Sequence, residues 1–207
     1  MTANPIPIDI AVEDALSEAV AKRLLTHSGS KFVLGTIHRG RGFGYLRKTA
    51  PGWNRASRSR PLLMLTDLDD HACPLALIRN WIVDDIESNL IFRVAVREIE
   101  SWILADWDGI TTFLKIPRKY LTSCPPLVPE ELIDPKAALI DLSSRSTDRS
   151  VKQRMVPLPN STAKVGREYN PCLSEFVESV WDPNRARASA DSLNRTLFRL
   201  ADFSPVW

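Results

Sequence analysis

The sequence predicts an α/β protein with a mostly parallel central sheet flanked by helices and a helical C-terminal extension. Short runs rich in β-branched residues alternate with stretches of helical apolar spacing along the first half of the chain. The run over residues 61–66 is apolar throughout, which is typical of a central strand covered on both faces. Strands that alternate with helices in this way predict right-handed crossovers between parallel neighbours.

Four strands are expected, and each ends in a break of the apolar pattern. They are predicted over residues 6–12, 31–37, 61–66 and 89–96. A helix should begin after Asp14, whose carboxylate can cap it, because Leu16, Val20 and Leu24 follow at four-residue spacing. Two further helices are predicted over residues 74–86 and 99–106.

The remaining segments are less regular. Gly40, Gly42 and Gly44 predict a break in regular structure, and residues 50–60 are predicted to be basic and irregular, with partial helix left open. After residue 106, helices are predicted over 135–142, 169–181 and 190–200, with a polar loop over 145–163. We therefore expect an α/β core over residues 1–114 and a helical part over residues 115–207 packed on it, together forming one compact domain.

Composition restricts the class of protein. Apolar residues make up 44% of the 207 residues and charged residues 25%, which is the globular norm and argues against wholesale disorder. The three cysteines lie far apart, which excludes a disulfide framework or a zinc ribbon and favours a reducing compartment. Neither a signal-peptide pattern nor an apolar run of membrane-spanning length occurs, so the sequence predicts a cytoplasmic protein without membrane association.

Acidic residues follow two of the predicted strands. Glu13 comes directly after the first strand, and Asp67 and Asp69 come directly after the apolar third strand. Ligands of open α/β sheets bind outside the carboxyl ends of the strands, so these carboxylates should converge. Oxygen ligands of this kind suit Mg²⁺ or Mn²⁺. Each residue taken alone is explained as well by a helix cap or a turn, and the metal site is favoured only for the three together.

The order of the motifs resembles a known family. A Glu closing the first strand and an Asp-x-Asp closing a later one are the pattern of the TOPRIM (topoisomerase–primase) fold. The chain looks most like small stand-alone bacterial TOPRIM-like proteins of unknown function, which are related to the TOPRIM domains of OLD-family (overcoming-lysogenization-defect) nucleases and often found near ATPases in phage-defence loci. The segments that carry the resemblance are VEDALSEAVAKRLL, LLMLTDLDD, FRVAVREIESWILAD, DPKAALIDL and VGREYNPCLSEFVESVW.

The resemblance implies roles for particular residues. It implies that Glu13, Asp67 and Asp69 bind the metal, that Glu98 or Glu100 assists or holds a second ion, and that Lys136 lies near the scissile phosphate. Glu98 and Glu100 would be about 200° apart on one helix, so only one should face the site. Glu100 is favoured, with Glu98 paired to an arginine such as Arg93 or Arg97. A solvated helix face remains an alternative for both glutamates and for Lys136.

The chain also departs from the family pattern. Many TOPRIM proteins have Gly directly after the first-strand Glu, whereas this sequence has Asp14. A second acid commonly follows a few residues later, where this chain has Ser17 and Glu18. The departure puts the geometry of the metal site in question.

A basic stretch gives a second functional signal. No Asp or Glu occurs between positions 19 and 66, whereas ten Lys or Arg residues do. Such residues contact phosphates, and neighbouring aromatic rings stack on bases. The alternatives are an acidic protein partner or a loop that is merely well solvated. The residues predicted to contact nucleic acid are Arg39, Arg41, Arg47, Lys48, Arg55, Arg58 and Arg60.

Three functions are compatible with these patterns. The favoured one is a Mg²⁺- or Mn²⁺-dependent nuclease of a bacterial anti-phage system, with Glu13, Asp67, Asp69, Glu98, Glu100 and Lys136 as its catalytic residues. A second is a non-catalytic TOPRIM-like effector or sensor subunit bound to a partner ATPase. A third is a plain nucleic-acid-binding protein. The sequence leaves open whether the substrate is DNA or RNA and whether the protein forms homo-oligomers.

Overall fold

Four parallel strands form the centre of the fold, and each begins one residue or less from its predicted start. The computed structural model describes residues 4–40, 43–121 and 128–207. The strands are β1 (Ile6–Val12), β2 (Phe32–Arg39), β3 (Leu62–Asp67) and β4 (Leu90–Ala95). All pairings are parallel, in the spatial order β2-β1-β3-β4. The predicted α/β class with a parallel sheet is therefore confirmed.

Helices connect the strands and make up the C-terminal part of the chain. Short 3₁₀ turns occur at Gly29–Lys31 and Pro129–Glu131. Among the described residues, no helix is both long enough and apolar enough to cross a bilayer. The helices are α1 (Ala15–His27), α2 (Phe43–Ala56), α3 (Pro74–Trp81), α4 (Ile99–Ala105), α5 (Trp107–Phe113), α6 (Arg118–Leu121), α7 (Pro135–Ser144), α8 (Arg149–Met155), α9 (Tyr169–Ser179), α10 (Pro183–Ala186) and α11 (Asp191–Asp202).

Both faces of the sheet are covered. Alternate residues of a strand point to opposite faces. On β3, Leu63 and Leu65 therefore join a core shared with α1, α4, α9 and α11. Leu62 and Met64 join a smaller core formed with α2 and α3. The result is a three-layer architecture, consistent with the TOPRIM-like α/β fold that the resemblance implies.

The strand order changes direction at β1. The chain moves from β1 outward to β2, then returns past β1 to β3 and continues to β4 on the other side. In doubly wound sheets, a crevice forms at the carboxyl edge where the winding reverses. This crevice lies between the carboxyl ends of β1 and β3. Glu13 directly follows β1, and Asp67 is the last residue of β3.

The predicted start of the first helix is confirmed. The Asp14 side chain accepts a hydrogen bond from the Ser17 backbone N–H at 2.8 Å, which makes it the N-cap of α1. Leu16, Val20 and Leu24 are all buried on the inner face of α1. Asp14 therefore has a structural role at the position where many TOPRIM proteins have Gly.

The partial helix left open for the basic segment over residues 50–60 is present up to Ala56, whereas the break predicted at Gly44 was wrong because Gly44 lies within a helix. Residues 43–56 form helix α2, although Pro51 lies within it. Leu46 and Ala50 are fully buried and Trp53 packs beside them against the smaller core. This i, i+4, i+7 stripe is a helical pattern. The surrounding glycines and arginines obscured it in the sequence.

Two other predictions require correction. Helix α3 ends at Trp81, not at residue 86, because Ile82 adopts extended backbone angles while its side chain stays buried. Buried Ile82 therefore continued the apolar spacing beyond the end of the helix. The predicted polar loop over residues 145–163 contains α8, which buries Val151 and Met155 against the main core.

The C-terminal helices share the main core with the sheet. The Trp102 indole N–H donates to Ser192 Oγ at 2.8 Å, and the Trp181 indole N–H donates to the Trp102 carbonyl at 3.1 Å. Asp106, which is buried, receives two hydrogen bonds from the Arg185 guanidinium at 2.7 and 2.8 Å. The boundary at residue 114 stays a prediction, and these contacts join its two sides.

Candidate active site

The three acidic residues that follow β1 and β3 meet at the carboxyl edge of the sheet. The strands β1 and β3 are adjacent and in parallel register, so their ends lie side by side. Thr66, the residue before Asp67, donates a hydrogen bond from Oγ1 to Glu13 Oε1. The charges of Glu13 and Asp69 each contribute to raising the pKa of Asp67. The convergence expected from parallel strands is therefore present.

The environment of Asp67 disfavours its charged form. Its Oδ1 accepts a hydrogen bond from the Ile99 backbone N–H at 2.9 Å, which stabilises the charged form. Burial nevertheless raises its pKa well above the usual value, and the neighbouring Glu100 and Glu13 carboxylates raise it further. Asp67 thus lies where negative charge is unfavourable and a cation would be favourable.

The other two carboxylates show the same trend. Burial raises the pKa of Glu13, against the opposing hydrogen bond from Thr66. Burial also raises the pKa of Asp69, against the opposing charge of Lys136. Asp69 has a φ of 49°, a left-handed conformation that Asp tolerates better than most residues. The Asp69 backbone N–H donates a hydrogen bond to the Arg97 carbonyl at 3.1 Å, and the Arg97 guanidinium donates to the Asp69 carbonyl at 3.4 Å.

Glu98 and Glu100 both face Lys136, which contradicts the helical-wheel prediction. Glu98 precedes α4 and has extended backbone angles, so the 200° separation of two helical residues does not apply. The ammonium of Lys136 lies 3.6 Å from Glu98 Oε1 and 3.5 Å from Glu100 Oε1. The expected pairing of Glu98 with Arg93 or Arg97 was also wrong. Arg93 lies instead against Thr196 of α11, at 3.1 Å.

Lys136 is a member of the cluster and not a solvated helix-surface residue. It occupies the first turn of α7, and its side chain is 37% exposed. Burial lowers its pKa, but the Glu100 and Glu98 carboxylates outweigh this effect and raise it. Burial raises the pKa of both glutamates, and Lys136 opposes that rise. Lys136 therefore remains charged and offsets part of the negative charge of the site.

Sequence reasoning missed two side chains that complete the site. The Tyr169 hydroxyl donates to Glu100 Oε1 at 3.3 Å, and Asn170 Nδ2 donates to Asp14 Oδ2 at 3.0 Å. Burial, followed by the nearby Glu100 charge, raises the pKa of Tyr169, so it remains a donor. Both residues open α9, and their segment carries part of the family resemblance. No local pattern indicates these contacts, because they join residues far apart in the chain.

A cavity of roughly 310 Å³ opens beside Asp67. Acidic and amide groups line one part of it, and apolar side chains and two lysines line the rest. It is bounded by residues of α1, β3, α4, α7, α9 and the connector that precedes α9. These lining residues are Asp14, Leu16, Ser17, Asp67, Ile99, Glu100, Lys136, Lys164, Val165, Tyr169 and Asn170.

The donor atoms at this edge suit a hard divalent cation. Glu13, Asp67 and Asp69 offer only oxygen ligands, as Mg²⁺ and Mn²⁺ prefer. Glu98 Oε2 is buried and has no hydrogen-bond partner among the described residues. Within the same residues, no three His, Cys, Asp or Glu side chains are already placed as a metal-binding group. Since Mg²⁺ usually keeps several waters and uses one or two carboxylates, the residues still fit such an ion.

The basic residues are distributed more widely than their position in the sequence indicates. Arg39 lies at the carboxyl end of β2, beside the site, and pairs with Glu18 at 3.4 Å. Arg47, Lys48 and Arg55 are exposed on α2, where Arg47 donates to Asn80 at 2.9 Å. Arg41 lies outside the described residues.

Arg58 and Arg60 lie at the opposite end of the sheet from the acidic cluster. They precede β3, whose length places its amino end roughly 17 Å from Asp67 at ~3.3 Å per residue. Arg58 pairs with Glu87 at 2.7 Å and Arg60 pairs with Asp9 at 3.0 Å. Glu87 and Asp9, which lie outside the acid-free stretch, therefore neutralise part of its positive charge.

Comparisons of this chain with protein-family models, with curated proteins and with solved structures found no match.

Proposed function

We propose that the protein is a divalent-metal-dependent nuclease that hydrolyses phosphodiester bonds. The main support is the convergence of Glu13, Asp67 and Asp69 at the crevice where the sheet reverses its winding, with the pKa of each carboxyl raised. Strongly perturbed carboxyls in a cleft are typical of functional sites. The motif order adds a TOPRIM-like, phage-defence setting in the bacterial cytoplasm to this proposal.

Five residues of the site bind the metal, stabilise charge or position another side chain. Glu13, Asp67 and Asp69 would hold Mg²⁺ or Mn²⁺. When bound, such an ion polarises a phosphoryl oxygen and lowers the pKa of a water. Lys136 would stabilise negative charge on the phosphate. Glu100 would position Lys136, because its Oε1 already lies near both Lys136 and the Tyr169 hydroxyl.

Glu98 is better placed than Glu100 to move a proton. Its Oε2 atom has no hydrogen-bond partner among the described residues, whereas Glu100 lies almost fully buried against Tyr169. Burial raises the pKa of Glu98, which brings it closer to the pH at which a general base is effective. This reverses the preference for Glu100 that the sequence suggested.

A second candidate function is a non-catalytic effector or sensor subunit that works bound to a partner ATPase. The observation that favours it is the absence of a preassembled three-residue metal group among the described residues. In this case, capture of an ATPase by the tagged protein would accompany a lack of metal-dependent cleavage, both alone and with that partner.

Cleavage of labelled DNA and RNA tests the first candidate. We expect cleavage in Mg²⁺ or Mn²⁺ that stops in chelator and falls at least ~100-fold in Asp67→Asn, the scale on which one removed catalytic group acts. Asp84→Asn, at an exposed aspartate in the loop after α3, is the matched control and should cleave like the parent. Equal cleavage by Asp67→Asn and the parent would reject the proposed site.

A further inference from the structure

The cavity beside Asp67 has a size that restricts what can reach the acidic cluster. Its volume of roughly 310 Å³ is near the lower limit for small-molecule sites, which span ~300–1,000 Å³. Asp67 and Glu100 line it directly, so it opens onto the proposed centre of the chemistry. A space of this size holds one small polar unit and not two paired strands.

The walls of the cavity combine three kinds of contact. Leu16, Ile99 and Val165 provide apolar surface. Asn170 adds an amide, whose Nδ2 already donates to Asp14. Lys164 adds a cation, and no carboxylate of the described residues lies within ion-pairing distance of it, in contrast to Lys136. A sugar–base unit that carries a phosphate would match apolar walls, an amide and a cation together.

Lys164 lies on the connector between α8 and α9. Two backbone hydrogen bonds fix the C-terminal end of this connector to α8. The Gly166 N–H donates to the Met155 carbonyl at 3.0 Å, and the Glu168 N–H donates to the Arg154 carbonyl at 3.2 Å. A Cβ at Gly166 would lie only 2.1 Å from the Arg154 carbonyl oxygen, so this close approach requires glycine. The connector is therefore held against α8, and Lys164 is held at the cavity.

We propose that this cavity accepts one unpaired nucleotide unit of a nucleic-acid strand, with Lys164 contacting its phosphate. The inference rests on the proposed nuclease function and adds the substrate class: a strand that is single, frayed or flipped at the point of attack. A base in a duplex is stacked and paired, and it must leave the stack to enter a pocket of this kind. A single strand needs no such rearrangement.

Binding without turnover tests this proposal. Fluorescence anisotropy in Ca²⁺ buffer would compare short labelled DNA and RNA single strands with blunt duplexes of the same sequence. We expect at least one single strand to bind about tenfold more tightly than either duplex, equivalent to one stacking or phosphate contact. Lys164→Ala should weaken that binding and reduce the slope of log affinity against log salt by about one.

Two further variants separate the cavity from general effects. Val165→Phe narrows the cavity and should abolish the single-strand preference, whereas Lys152→Ala, at an exposed lysine of α8, should change nothing. Melting curves of each variant establish that it is folded. Duplex binding as tight as single-strand binding, or unchanged binding in both Lys164→Ala and Val165→Phe, would overturn the proposal.

The outcomes distinguish this inference from the proposed function. Metal-dependent cleavage without a single-strand preference would reject the inference and leave the nuclease. A single-strand preference that depends on Lys164, without any metal binding, would support the cavity and reject the nuclease. A nucleoside monophosphate that competes as well as the strand would overturn the inference, because the ligand would then be a free nucleotide.

Discussion

At the scale of single residues, the buried carboxyl groups of the acidic cluster are the clearest indication of function. The charges of Glu100 and Glu13 both act on Asp67, and burial raises the pKa of all three. A carboxyl whose pKa is raised by folding binds its proton more readily in the folded chain. Its contribution to stability is therefore present below the unfolded pKa, ~3.9 for Asp, and is lost as the pH rises through the folded value.

Asp67→Asn should therefore stabilise the fold at pH 8. Asparagine keeps an oxygen that can accept the hydrogen bond from the Ile99 N–H but removes the buried charge. We expect the melting midpoint in chelator to rise by a few degrees, since ~1 kcal/mol corresponds to about 2–4 °C for a chain of this length. The gain should shrink as the pH is lowered towards 4. A lower midpoint than the parent at pH 8, with Asp84→Asn unchanged, would contradict the assignment of Asp67.

Lys136→Met should have the opposite effect. It removes the cation that lies 3.5 Å from Glu100 and 3.6 Å from Glu98. Breaking a buried ion pair costs ~3–5 kcal/mol, and partial exposure of the lysine reduces this to about 1–2 kcal/mol at neutral pH. The loss should decrease at low pH, where the carboxyls are protonated.

A double-mutant cycle isolates the Lys136–Glu100 interaction. Urea unfolding of the parent, Lys136→Met, Glu100→Gln and the double variant gives the coupling free energy. Additive effects would show that Lys136 acts elsewhere, whereas partial rescue by Glu100→Gln is the expected result.

At the scale of elements, sequence patterns predicted the sheet better than the basic region. The strands were recognisable because their apolar runs are short and bounded by polar residues. Helix α2 was not, because its buried stripe of Leu46, Ala50 and Trp53 is interrupted by Lys, Arg, Pro and Gly residues. The charge pattern indicated a loop, while tertiary packing against β3 selected a helix.

The site was predictable in part for a related reason. Glu13, Asp67 and Asp69 are placed by strand ends, which periodicity locates. Tyr169 and Asn170 reach the site through contacts with Glu100 and Asp14, which are distant along the chain. Such contacts leave no local pattern. The position of Glu98 was mispredicted because a helical separation was applied to a residue that precedes the helix predicted over residues 99–106 and observed from Ile99.

Leu46→Ala tests whether α2 is a packed helix. Leu46 is fully buried against the smaller core, and Leu-to-Ala substitutions at such positions cost ~2–5 kcal/mol. Lys48→Ala, at an exposed position of the same helix, should stay within about 0.5 kcal/mol of the parent. Chemical unfolding of both variants makes the comparison. Equal, small effects would indicate that residues 43–56 do not pack on the sheet.

At the scale of the whole molecule, the sheet and the C-terminal helices build the candidate site together. The strands bring Glu13, Asp67 and Asp69 together, α7 adds Lys136, and α9 adds Tyr169. The basic residues extend from this edge along α2 to the far end of the sheet, where Arg58 and Arg60 pair with carboxylates. A strand bound at the acidic cluster would therefore meet Arg39, Lys136 and Lys164 before it could meet Arg58 or Arg60.

Calorimetric titration of Mn²⁺ or Mg²⁺ into the purified protein tests the central claim most directly. We expect saturable binding at or below millimolar metal in the parent and in Asp84→Asn, and its loss in both Asp67→Asn and Asp69→Asn. That result would establish the carboxyl edge as the metal site. No binding to the parent at millimolar metal, or binding that both site variants retain, would contradict it.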